Sequence, residues 1–97
     1  MTIFLITPLA QNSKKIDLVV TSHVTERDRF KLAGEAGWLI SFPGTTVELS
    51  NSLGITGQPA DTPPSLASVL ITSVGTYYGR GSADMWEWLK TRMEASS

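Results

Sequence analysis

Apolar positions at the start of the chain are contiguous, and further on they become periodic. "TIFLIT" (residues 2–7) is rich in β-branched and aromatic side chains and stops at Pro8, which predicts a buried strand over residues 2–9. Beyond it, Ile16, Val20 and Val24 recur at every fourth position with Val19 beside them, the stripe of an amphipathic helix opened by Asn12 or Ser13. The same residues also permit a strand, because Ile16, Leu18 and Val20 alternate and β-branching lowers helix propensity. The cap and the polar run "TSHVTERDR" that follows favour the helix. Two apolar runs, residues 30–33 and 38–42, flank the turn-rich Gly34-Glu35-Ala36-Gly37 and predict a hairpin. Next comes a short helix with a signal at each end. Thr45 and Glu48 have capping-box spacing, and Gly54 offers a left-handed stop with Ile55 placed to pack back on the last turn. "TGQPADTPPS" (residues 56–65) carries three prolines and predicts an exposed connection. "LASVLITSV" (residues 66–74) predicts a further strand, and from Ser82 a last helix runs to about residue 94.

The resulting order, β-α-β-β-α-β-α, places the chain in the α+β class as one domain over residues 1–97. It suits an antiparallel sheet with helices on one face, the ferredoxin-like βαββαβ arrangement, followed by a C-terminal helix.

Composition narrows the functional classes. With 41% hydrophobic residues and three tryptophans the chain can build one core unaided. Its formal charge of −1 creates no global field toward nucleic acid or an anionic membrane, so any such contact has to be local. Cysteine is absent, which removes disulfides, thiolate nucleophiles and thiolate metal sites together. The opening apolar run lacks a basic flank, breaks at Thr7-Pro8 and is too short to span a bilayer. A cytoplasmic protein without a membrane segment is therefore the expectation.

An apolar first strand "TIFLIT", followed by "RFKLAGEAGWLISF" and a T-x-x-E-L helix, resembles in layout the small CRISPR-associated adaptation nucleases and their VapD-type toxin relatives. The resemblance implies the ferredoxin-like fold and homodimerisation. In those nucleases an aspartate associated with metal ends the first strand, whereas the matching place here reads Ile6-Thr7-Pro8-Leu9, so the metal site does not carry over. What the resemblance implies is a non-catalytic relative.

Candidate chemistry concentrates in "YYGRGSADMWEWLK" (residues 77–90). Gly79, Arg80, Gly81 and Ser82 lead into a helix, where backbone N–H groups and the helix dipole can receive an anion and Arg80 can clamp it. The plainer reading is that the glycines turn the chain, Ser82 caps the helix and Arg80 is solvated. Tyr77 and Tyr78, read as the end of a strand, point to opposite faces, one buried and the other free to stack on a base or to pack across the sheet. In the last helix Met85, Trp86, Trp88, Leu89 and Met93 spread over an arc too wide for a single sheet contact. Trp86 and Trp88 are accordingly the candidates for a partner interface, the alternative being a core helix. His23, close to Glu26 and Asp28, could serve acid–base or metal chemistry, or simply sit in a solvated connector, and no H-E-x-x-H or G-x-S-x-G motif accompanies it.

The expected function is a small non-enzymatic binding or assembly module, homodimeric or bound to a protein partner, with an anionic or nucleic-acid ligand at Tyr77, Tyr78, Arg80, Gly81 and Ser82. No catalytic residue, metal or cofactor is expected. A different class of reading, a ferredoxin-like nuclease or other hydrolase acting on a phosphate-bearing substrate, would use Arg80, a tyrosine and His23.

Overall fold

A computed structural model describes residues 1–59, 68–76 and 78–95. Among them the elements are β1 (Thr2–Pro8), α1 (Ser13–His23), a 3₁₀ turn (Glu26–Asp28), β2 (Arg29–Lys31), β3 (Trp38–Phe42), α2 (Thr46–Ser52), β4 (Val69–Ser73) and α3 (Ala83–Ala95). The strands form one antiparallel sheet in the order β2-β3-β1-β4. β1 is central, with Leu5 opposite Leu39 on one side and Thr72 on the other.

This position explains the unbroken apolar run of β1, since a strand buried on both faces has no polar side to show. Phe4 and Ile6 point to one face with Trp38 and Ile40, where Ile16 and Val20 of α1 and Leu49 and Leu53 of α2 cover them. Ile3 and Leu39 point to the other face and are covered by Leu89 of α3, with Met85, Trp86, Trp88 and Met93 packed around. The helices therefore lie on both faces, α1 and α2 on one and α3 on the other.

The stretch that reads as helix or strand is helical from Ser13 to His23, with Val24 already extended. Asn12 occupies the cap position, yet its side chain makes no cap bond. The buried Nδ2 instead donates to the Ser68 carbonyl at 3.2 Å and ties the start of α1 to the approach to β4. α2 has the predicted ends. Thr45 Oγ1 accepts from the Glu48 N–H at 3.1 Å, and Glu48 Oε1 accepts from the Thr45 N–H at 3.2 Å. At the other end Gly54 has φ +76°, and Ile55, whose N–H donates to the Ser50 carbonyl at 3.0 Å, packs on the core.

The hairpin closes with Lys31 opposite Trp38 and the Leu32 N–H donating to the Gly37 carbonyl at 3.0 Å. Gly37 has φ +116°, and a Cβ there would fall 1.9 Å from the carbonyl oxygen of Ile6. The start of β3 can thus lie against β1 only because this residue is glycine. Residues 56–65 fall partly outside the described residues, as does the predicted start of the fourth strand. β4 ends at Ser73 because β1 runs out beside it. Val74 still donates to the Ile3 carbonyl at 2.8 Å, but beyond Ile3 β1 has only Thr2 to pair. Tyr78 consequently lies past the strand and not on it, a correction to the sequence expectation.

Candidate functional site: a groove beside the last helix

Ser82 acts as the cap of α3. Its hydroxyl accepts from the Met85 N–H at 3.2 Å and its carbonyl from the Trp86 N–H at 3.2 Å, so two of the polar groups at this helix start are already used. Gly81 allows close packing there, because a Cβ would fall 2.3 Å from the Met85 methyl. Gly79, at φ +149°, turns the chain in open space. The loop is therefore built as a turn and a cap, and what it adds beyond them is two side chains facing solvent. Tyr78 is fully exposed, at 102%, and Arg80 is exposed as well. Tyr77 lies outside the described residues.

Tyr78, Gly79 and Arg80 border a groove of about 320 Å³ whose other walls include Leu5, Leu39 and Val74 of the sheet and Met85, Trp86 and Leu89 of α3. On its β2 side α3 is held by three contacts. Trp88 packs on Phe30 with ring centroids 6.2 Å apart, its indole N–H donates to the Arg27 carbonyl at 3.2 Å, and Arg92 pairs with Asp28 at 3.4 Å. These contacts fasten the middle and far end of α3 over β2 and the 3₁₀ turn, and its first turn stands beside Leu5 and Val74 with the groove between. Of the two candidate interface residues, Trp88 is engaged in this internal clamp, and Trp86 is half-buried and lines the groove.

A second polar cluster had no signal in the sequence. Asp17 of α1 accepts from the Trp38 indole N–H at 2.8 Å through Oδ1 and from Lys31 Nζ at 2.8 Å through Oδ2. Burial pushes the Asp17 carboxyl up, but the bonds from Lys31 and Trp38 and the lysine charge outweigh it, and the net shift is below the ordinary aspartate value. The three residues are far apart in sequence, and the hairpin register sets Lys31 opposite Trp38, next to Asp17 of α1. They border a pocket of about 170 Å³. His23 is not brought to any site. Its Nδ1 donates to the Val19 carbonyl at 2.9 Å on its own helix, and Asp28 is occupied by Thr25 and Arg92. Among the described residues no three His, Asp or Glu side chains converge in a way that could hold a metal ion. Nor is any described helix long and apolar enough to cross a membrane.

No family model, curated protein sequence or solved structure matches the chain.

Proposed function

We propose that the chain is a small non-enzymatic binding module on a ferredoxin-like sheet, and that the groove between α3 and the sheet face it covers takes an anionic ligand with a flat or apolar body, of which a short single-stranded oligonucleotide is the example to test. Support for the ferredoxin-like assignment comes from the βαββαβ order, the antiparallel sheet β2-β3-β1-β4 and the placement of α1 and α2 on one face. The binding reading rests on one observation: Tyr78 and Arg80, both exposed, border an apolar groove. A tyrosine with no packing duty exposes apolar surface that a ring can stack on, and an arginine beside it supplies a charge and a planar donor set for phosphate. Leu5, Leu39 and Trp86 give the body of the ligand a dry wall.

The test is a fluorescence titration with short labelled single-stranded oligonucleotides at two salt concentrations. Wild type is expected to bind more weakly at the higher salt, since the contact to Arg80 is exposed and electrostatic. Arg80→Ala should weaken binding about 3- to 10-fold and Tyr78→Ala by a similar factor, with no change in thermal melting. Absence of wild-type binding at low salt would overturn the reading.

A further inference from the structure

The two edges of the sheet are protected very differently. β2 is three residues long and carries Arg29 and Lys31, charges of the kind that keep an edge from pairing with another strand. β4 carries none: residues 68–79 contain no charged side chain, and no proline interrupts them. Among the described residues β4 pairs only with β1. The bonds from Val74 N–H to Ile3 and from Leu9 N–H to Ser68 assign the even-numbered residues to the β1 side. In an antiparallel ladder the residues between them then turn their N–H and C=O groups outward, which here means Val69, Ile71 and Ser73. Beside this edge, on the face that α3 leaves open, Leu70 is 48% exposed and Leu9 57%.

We infer that β4 is the contact by which two copies of this chain associate, its edge pairing antiparallel with the same edge of the second copy about a two-fold axis at Ile71. The choice of a second copy follows from the strand itself. With Ile71 opposite its own counterpart, Val69 faces Ser73 of the second copy and Ser73 faces Val69, so every outward residue meets an outward residue and each such pair exchanges two backbone bonds. No like charges are brought together, and Leu70 comes to lie beside Thr72 of the other copy on a shared face. Five residues span about 17 Å, less than a standard interface needs, so the dimer should be weak, with Kd roughly 10 μM to 1 mM. This surface is distinct from the wall that Arg80 and Tyr78 form, and each can fail without the other.

Sedimentation velocity of the full chain from about 10 μM to 1 mM tests it. Wild type should shift from monomer to dimer across that range. Ser73→Pro removes an outward N–H at an exposed position without touching the ladder to β1, and should weaken the dimer at least about tenfold at unchanged melting temperature. Thr72 is exposed and, in the paired edge, lies diagonally across from its counterpart at roughly 7 to 8 Å. Thr72→Lys and Thr72→Glu should therefore each weaken self-association about threefold at low salt, and a mixture of the two should associate about sevenfold more tightly than either alone. That rescue requires the two Thr72 positions to be neighbours and keeps the test decisive even if Ser73→Pro fails to fold. A wild type that remains monomeric at 1 mM overturns the inference and leaves the edge to a strand of another protein. A dimer unchanged by all three substitutions overturns it equally, because the contact would then lie elsewhere.

Discussion

Gly34 and Gly37 sit three residues apart in the same hairpin loop, both at positive φ, yet replacing each by alanine should have very different consequences. At Gly34, φ is +66° and nothing lies within 4 Å of the place an added methyl would take, so alanine suffers only the left-handed backbone penalty of about 1–2 kcal/mol. At Gly37 the backbone penalty at φ +116° is joined by a methyl 1.9 Å from the Ile6 carbonyl oxygen, a backbone atom of the central strand that cannot swing away. Restoring ordinary contact distance means moving the start of β3 by more than an ångström. That displaces Trp38, which is 6% exposed and paired with Ile6, and loosens the Leu32 to Gly37 bond. Strain of about 1–3 kcal/mol, about 1 kcal/mol for a weakened hydrogen bond and partial loss of the Trp38 packing sum to about 3–5 kcal/mol. Against a total stability of about 5–15 kcal/mol this leaves a marginal fold. Since each kcal/mol is worth about 4–8 °C in a domain of this size, Gly37→Ala should melt at least about 4 °C below Gly34→Ala. Thermal and urea unfolding followed by circular dichroism measure both. Equal midpoints for the two variants would refute the close approach of Gly37 to β1.

Thr45→Ala should cost about 1 kcal/mol in urea melts, and a double-mutant cycle with Glu48→Ala should show that the two losses overlap, because the two bonds form one reciprocal box. Leu89→Ala, at a position 4% exposed, should cost about 2–5 kcal/mol and raise dye binding by uncovering the face around Ile3 and Leu39. Asp17 has a folded pKa below the ordinary aspartate value, so its contribution is complete above that value and is lost as pH falls through the folded one. The stability gap between wild type and Asp17→Asn, under about 1 kcal/mol for so accessible a pair, should therefore close on acidification below about pH 4, as read from melts across pH.

The parts of the fold that were legible beforehand are those whose signals are local. Thr45, Glu48, Gly54 and Ile55 specify α2 within a few residues, and the Gly34 to Gly37 turn specifies the hairpin. What escaped depends on residues far apart. Asn12 looks like a cap and is drawn off to Ser68, 56 residues away, a competition that no local pattern shows. The end of β4 depends on where β1 stops, so Tyr78 falls off the strand although its own neighbourhood reads as extended. The wide apolar arc of α3 was visible, but that it covers the second face of the sheet, with Trp88 clamped on Phe30 and the Arg27 carbonyl, follows from tertiary packing. In the candidate site the exposed Arg80 and the capping Ser82 could be anticipated from spacing. The apolar groove beside them could not, because its walls come from four separate segments.

The position of α3 also bears on how the chain is made. Of the described elements β1 comes first along the chain, and its Ile3 packs with Leu89 of α3, which follows the four described strands. Until that helix emerges, a sheet already zipped by β1, β3 and β4 presents one bare apolar face, and the uncharged edge of β4 lies beside it. Nascent chains translated close together on one message would meet through these surfaces before either is covered. Docking of α3 is thus the step that ends the exposure of this face to wrong pairing.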